Sequence, residues 1–374
     1  MIKFNQRTIF VCNVIPPFQG GASSIIGNIL KSKAFSDVYI AGRESRINNK
    51  LFLKKRILKL PLSFGSKNLF IRICLYFISF ILLVKFIRDN DIKNVVAVYR
   101  DQGSFVLGFL SSFFTRTNLF VYMTDLYAEN YKSILKTLIQ KIIFNYSKKI
   151  FCLNDAMLKY YLKKYNGKTF SIPHTVNNCN PRIQKVIKDS FSIAYVGSIT
   201  FDRIDLLRNL IEIVNSSDDL NLVLYTNADP KFLEKHSLAG MNIKSFYIND
   251  KDILLDRLST HNLMYLPLAF DEVSTSSYIQ IKTSFATKSM EYLLSGCPIL
   301  VNASSDTFTF QYLKNNNAAI LLDSDKIVDL KKTIYAIKNN DIDTQEILNN
   351  SKSLLKKHHI DNISSKFLNL INQK

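Results

Sequence analysis

Cysteine is scarce in this 374-residue chain. The five present (Cys12, Cys74, Cys152, Cys179 and Cys297) are odd in number and show no metal-ligand spacing. That argues against a disulfide framework and a cysteine-built zinc site, and it points to a reducing compartment. Acidic residues are also few, 30 against 49 Lys and Arg, which leaves a formal net charge of +19. Nucleic acid is the least favoured explanation for that charge, because no helix-turn-helix, zinc-finger or RNA-binding signature occurs. Anionic lipid or anionic small molecules fit better, and scattered solvated lysines account for part of the excess. The five histidines (His174, His236, His261, His358, His359) do not cluster on loops expected to carry chemistry. Asp-x-Asp triplets occur only at 250–252, 323–325 and 341–343, at helix starts or in a polar loop, where aspartate caps. No metal and no cofactor are therefore expected. There is no internal repeat or low-complexity tract, and residues 1–7 run straight into a strand-like segment, so no signal peptide is expected.

What is present reads as a globular α/β protein. The hydrophobic share is 47% and the charged share 21%, values that exclude a disordered chain. Short apolar runs alternate with longer amphipathic ones, the pattern of parallel sheets covered by helices. In the first half, strands are predicted at 9–14, 37–40, 94–99, 119–123, 149–153 and 169–172, with helices at 23–31, 67–88, 104–114, 131–146 and 155–164. The pattern pauses over 176–190, a linker with Pro181 and several asparagines. It resumes with strands at 192–196, 221–225, 243–247, 262–266, 298–301 and 318–322. The helices between them fall at 205–214, 230–237, 250–258, 287–294, 308–313 and 326–338, and one or two more fill 345–374. Two doubly wound parallel-sheet domains follow, 1–178 and 190–374, whose last helix can cross back to the first domain. Ligands of such sheets bind at the carboxyl ends of strands, so the cleft between the domains is the expected site.

The segment 69–87 is almost wholly apolar and close to the ~20 residues that a membrane span needs. Arg72 and Lys85 interrupt it, and a strand-forming run follows at once. A buried or in-plane, membrane-facing helix is favoured over a spanning one.

The densest chemistry lies in residues 284–301, Ser-Phe-Ala-Thr-Lys-Ser-Met-Glu-Tyr-Leu-Leu-Ser-Gly-Cys-Pro-Ile-Leu-Val. Ser284, Thr287 and Lys288 stand at the opening of a predicted helix, where anions are favoured. Glu291 is three residues on, on the same face as Lys288, and can accept bonds from sugar hydroxyls. A second element is Ile193-Ala194-Tyr195-Val196-Gly197-Ser198, a strand ending in glycine and followed by Arg203. Glycine there lets backbone approach a ligand, and the amides after it can face an anion. A third is Gly20-Gly21, between the first strand and first helix. Asp101 and Asp125 each lie just past a strand, the former equally suited to capping the following helix.

Together these stretches resemble GT-B glycosyltransferases, in particular family-4-like retaining enzymes of bacterial surface-polysaccharide (O-antigen or capsule) synthesis. That signature reads Pro/Thr-x-Lys-x-x-Glu-Tyr-Leu-x-x-Gly-x-Pro, and it is matched at Lys288, Glu291, Tyr292, Leu293, Gly296 and Pro298. The resemblance implies a transferase that moves a sugar from a nucleotide-diphosphate donor to a glycan acceptor. It implies retention of configuration, a lipid-linked acceptor, no metal, and peripheral attachment at the inner face of the cytoplasmic membrane. Arg203 and Lys288 would then stabilise the leaving diphosphate, Glu291 would hold the ribose, and Gly197, Ser198, Ser284 and Thr287 would complete the donor site. Gly20 and Gly21 would lie close to the donor phosphates and the acceptor, the loops of Asp101 and Asp125 would face donor sugar and acceptor with Asp125 catalytic, and His174 would be structural at the hinge. The chain departs from the pattern at Ser198, where an arginine is usual, and at Thr283, where the first of two paired glutamates would fall; Asp271 and Glu272 stand nearby as possible replacements. A GT-B nucleotide-sugar epimerase and a non-catalytic GT-B scaffold are the alternatives.

Overall fold

The computed structural model describes residues 5–16, 21–44, 56–62, 68–99, 101–129, 133–165, 167–185, 190–271 and 277–373. Its packing divides the chain into two compact units. One is Met1–Asn177 with His358–Lys374, and the other is Asn178–Lys357.

The first unit runs β1 (Thr8–Val14), α1 (Gly21–Ile29), a 3-10 turn (Lys33–Phe35), β2 (Tyr39–Arg43), β3 (Arg56–Lys59), α2 (Leu69–Asp89) and β4 (Asn94–Tyr99). It continues with α3 (Gln102–Thr115), β5 (Asn118–Met123), α4 (Ile134–Tyr146), β6 (Lys149–Cys152), α5 (Asp155–Leu162) and β7 (Thr169–Ser171). Its seven described strands are all parallel, in the order β3-β2-β1-β4-β5-β6-β7. β4 is buried from end to end and β1 along all but Asn13, as strands covered on both faces must be.

The second unit runs β8 (Phe191–Val196), α6 (Phe201–Asn215), β9 (Leu220–Tyr225), α7 (Pro230–Lys235), β10 (Ile243–Phe246), α8 (Lys251–Leu258) and β11 (Leu263–Pro267). Then come α9 (Tyr278–Thr283), α10 (Ser289–Ser295), β12 (Ile299–Asn302), α11 (Phe308–Asn315), β13 (Ile320–Leu322), α12 (Ile327–Lys338) and α13 (Gln345–Lys357). Six parallel strands are ordered β10-β9-β8-β11-β12-β13. The last helix, α14 (Ile360–Asn372), belongs to the first unit. Its Phe367 is fully buried against Phe10, Phe35, Tyr122 and Phe151, with ring centroids 4.6–6.1 Å apart. The return is fastened by short backbone bonds, Val176 N–H to His358 O at 2.9 Å and Ile360 N–H to Val176 O at 3.0 Å. The buried His174 offers its backbone carbonyl to His358 Nδ1 at 2.7 Å, which fixes the His358 ring.

Several elements differ from expectation. The 3-10 turn, β3 and α9 were not anticipated, α6 starts at Phe201 rather than at 205 and so takes Arg203 into its first turn, and the helix expected over 287–294 starts at Ser289 instead. Thr309 Oγ1 causes that delay. It accepts the Ala286 N–H at 2.9 Å and donates to Ser284 O at 3.1 Å, so the chain up to Ala286 is held extended. Thr287 and Lys288 form a turn, and the first helical bond is Tyr292 N–H to Lys288 O at 3.0 Å. Lys288 therefore stands before a seven-residue helix rather than within its first turn.

In the second sheet, strand order reverses between β8 and β11, whose register runs over Ile193–Leu263 and Ala194–Met264. Just beyond, the buried Tyr292 hydroxyl accepts the Val196 N–H at 2.7 Å and donates to Tyr265 O at 3.1 Å. It replaces a ladder bond where the strands part. Tyr292→Phe leaves both backbone groups without that partner and should cost about 1–3 kcal/mol. The urea midpoint of the second unit is expected to fall; an unchanged midpoint would show that the bridge carries no energy.

His261 is buried between Ser192 Oγ (2.6 Å from Nδ1) and the Tyr225 hydroxyl (2.9 Å from Nε2). Burial pushes its pKa from 6.5 down to about 4. The unfolded chain thus takes the proton first, and stability present above pH ~6.5 should be lost as pH falls toward 4. Thermal melts of wild type and His261→Gln across this window are the check. The acid-side slope should be shallower in the variant.

Candidate functional site

The candidate donor site is built at the carboxyl end of β8, on the switch point of the second sheet. β8 is followed directly by Gly197, whose φ of +138° is open to glycine alone without strain. Its N–H bonds Tyr225 O at 3.0 Å, which fixes the turn. A Cβ at this position would lie 3.6 Å from Arg203 Nη1, 3.7 Å from the Tyr195 hydroxyl and 3.8 Å from Lys288 Cγ. The glycine is thus ringed by two cationic side chains and a phenol. Arg203, near the start of α6, donates from Nη1 to the Tyr195 hydroxyl at 3.3 Å, and that hydroxyl donates to Ser198 O at 2.8 Å. The chain Arg203–Tyr195–Ser198 thereby ties the guanidinium to the loop it overlooks. Ser198 itself is exposed.

Lys288 arrives from the other side, from the turn before α10. Its Nζ lies 3.4 Å from Glu291 Oε1, and both side chains are partly buried. The spacing of three residues puts them on one face, as expected of a helical pair. Tyr292, next to Glu291, holds α10 against β8 and β11 by the hydroxyl bridge described above. α10 ends at Gly296 with φ +76°. A Cβ there would meet Arg182 O at 2.0 Å, so conformation and space both require glycine.

Four of the donor-site residues read from sequence are therefore gathered: Gly197, Arg203, Lys288 and Glu291. Ser198 joins through its carbonyl. Ser284 does not join by its hydroxyl, which donates to Ile281 O at 3.3 Å, and Thr287 is half-buried in the turn before Lys288. Thr283, where a carboxylate would stand in the resembled pattern, is buried and donates to Ile279 O at 2.8 Å. It presents no charge. Asp271 is exposed, and Glu272 lies outside the described residues. Among the described residues no three His, Cys, Asp or Glu side chains converge as a metal site.

In the first unit, Asp125 is half-buried just past β5, beside Thr124, whose hydroxyl donates to Tyr99 O at 2.6 Å. Asp101 caps α3, accepting the Ser104 N–H at 2.9 Å. Gly21 opens α1, while Gly20 lies outside the described residues. Tyr195 and Thr309 were not singled out from sequence. A tyrosine in an apolar strand and a threonine in a helix carry no local sign of such roles.

Electrostatically the gathered group holds two cations and one carboxylate around an exposed backbone turn. It can clamp a dianionic diphosphate by charge-assisted bonds, and the carboxylate can accept from paired hydroxyls.

No protein-family model matches this chain, and no curated protein does. Solved structures do match over the full length. A glycosyltransferase from Rickettsia africae shares a TM-score of 0.73 at 15% identity, covering 99% of this chain and 100% of that one. HepE from Anabaena, solved with UDP and glucose, gives 0.70 at 13% identity over 99% and 100%. A UDP-N-acetylglucosamine 2-epimerase candidate from Listeria monocytogenes gives 0.64 at 13% over 98% and 96%. With its two doubly wound parallel sheets of seven and six strands, the chain has the fold of the GT-B glycosyltransferases.

Proposed function

We propose that this protein is a retaining glycosyltransferase that moves a sugar from a nucleotide-diphosphate donor to a glycan acceptor, lipid-linked, in the assembly of a bacterial surface polysaccharide. The observation that carries the reading is the convergence of Arg203 and Lys288 on Gly197, with Glu291 3.4 Å from Lys288. The anomeric carbon–oxygen bond of the donor breaks as an acceptor hydroxyl bonds to the same carbon and passes its proton to the departing diphosphate oxygen. The negative charge that appears on the departing diphosphate meets the guanidinium and ammonium groups, which are already in place. Glu291 accepts from the ribose hydroxyls and fixes the nucleoside. The acceptor is assigned to the first unit, where Asp125 follows the carboxyl end of β5. HepE, which shares the fold, was solved with UDP and glucose, in keeping with a uridine-type donor for this chain as well.

The epimerase reading has a structural match of its own but less support from the residues. Such chemistry needs an acid/base set at the sugar. His261 is committed to Ser192 and Tyr225, and His358 to the His174 carbonyl. A panel of nucleotide-sugars with and without a glycan acceptor separates the two. Release of nucleotide only with acceptor present supports transfer; an isomerised sugar nucleotide without acceptor supports epimerisation.

Glu291→Gln should weaken binding of a nucleoside diphosphate by about tenfold or more, because bonds to a charged partner contribute roughly 1.5–3 kcal/mol. Calorimetric titration checks it, and unchanged affinity would remove the ribose role. Cationic side chains can stand in for a metal at the leaving group. Activity is accordingly expected to survive dialysis against a chelator, and a strict requirement for manganese or magnesium would refute that assignment.

A further inference from the structure

The most conspicuous unassigned surface belongs to the first unit. α2 is long and apolar enough to cross a membrane, yet only 17% of that apolar window is buried. Within the helix only Ser79, Leu83 and Ile87 are buried. Phe70 is 73% and Phe77 60% exposed, and on α4 Ile134 is 90% exposed. Phe77 is not isolated. An unbroken line of rings joins three helices: Phe77 to Phe80 on α2 (6.5 Å), Phe80 to Phe114 on α3 (5.3 Å), Phe114 to Phe113 (5.7 Å) and Phe113 to Tyr146 on α4 (5.8 Å). A contiguous exposed apolar face of this kind marks an interaction surface.

Charge selects the occupant. α2 and α4 together carry Arg72, Lys85, Arg88, Lys136 and Lys141 against one acidic residue, Asp89, and α3 carries no ionisable residue. A two-fold pairing of copies through this face would set like charges against like. Anionic lipid offers the opposite sign together with an apolar interior, and long basic side chains can reach the headgroups while their neighbours sink deeper.

The same packing excludes a span. α2 connects β3 to β4, strands of one sheet, so both its ends stay with the same body. Along its length it is tied down by the Tyr76 hydroxyl to Gly103 O (3.2 Å) and by Phe86 against Tyr39 (5.7 Å). We propose that α2, the end of α3 and α4 form a docking face that lies in the plane of an anionic bilayer, with Phe70, Phe77 and Ile134 inserted among the acyl chains. This inference stands on the helix face and not on the donor chemistry.

The chain has no tryptophan, so one introduced ring reports one place. Phe77→Trp should shift its emission to the blue on addition of phosphatidylcholine vesicles containing phosphatidylglycerol. Tyr247→Trp, on the second unit, should not shift. Pelleting with these vesicles should exceed that with pure phosphatidylcholine, weaken about tenfold as salt screens the attraction, and fall by a similar factor in Phe70→Ser/Phe77→Ser. The far-ultraviolet circular dichroism spectrum and its melting curve serve as the folding control for that double variant. No pelleting at low salt overturns the proposal. So does salt- and carbonate-resistant membrane retention, which would mean a span. A dimer in solution that the double variant abolishes, without lipid binding, would make the face a protein interface instead.

Discussion

The second unit depends on one buried hydroxyl. At a switch point two parallel strands diverge, and the backbone groups on their inner edges lose each other as partners. Water normally meets that need, and it would then compete with any ligand for the same place. Here Tyr292 meets it from within the protein, taking the Val196 N–H and giving to Tyr265 O. Burial holds the phenol protonated, so it can do both. Because the ring sits on α10, the bond that closes the gap also sets the height and rotation of the helix. Lys288 and Glu291 are carried to their positions by that choice, and the side of the helix that faces Gly197 follows from it.

The first unit solves a different problem. Its sheet needs cover on two faces, and one of them is covered in part by residues that arrive last in the chain. α14 brings Phe367 into a ring cluster over β1, β5 and β6. The C-terminal segment is therefore part of the core, and the unit's folding includes residues separated from it by the entire second unit. The opposite face is covered by α2, α3 and α4, and there the apolar surface exceeds what the sheet can hide. A helix used only as a lid on a sheet needs one apolar stripe; α2 is apolar nearly all round.

Strands buried on both faces were legible as uninterrupted apolar runs, and β1, β4, β5, β8 and β11 fall where those runs lie. β3 was not, because Arg-Ile-Leu-Lys is four residues long on a sheet edge, half-exposed and flanked by charge. α9 was missed for a related reason: six residues within a serine- and threonine-rich stretch make too little of a period. The start of α10 depends on a clamp by Thr309, distant in sequence, which no local pattern announces. In the candidate site, the Lys288–Glu291 pair was readable from its spacing of three. The convergence of Arg203 on Gly197 across two elements was not readable from spacing, and it was expected only through the family resemblance. Hydroxyl roles were the least visible, since Tyr195 and Tyr292 look in sequence like ordinary core aromatics.

The glycine at 296 ties the backbone on either side of it into a mechanical unit. The Arg182 carbonyl occupies the space a side chain would need, the Arg182 N–H bonds Leu294 O at 2.9 Å, and the guanidinium bridges Asp252 and Asp256 on α8. The strap leading into the second unit is thus riveted to the far end of the same short rod that holds Lys288 and Glu291. Seven residues of helix span only about 10 Å. A side chain at residue 296 would therefore disturb the strap and the far end of the rod together.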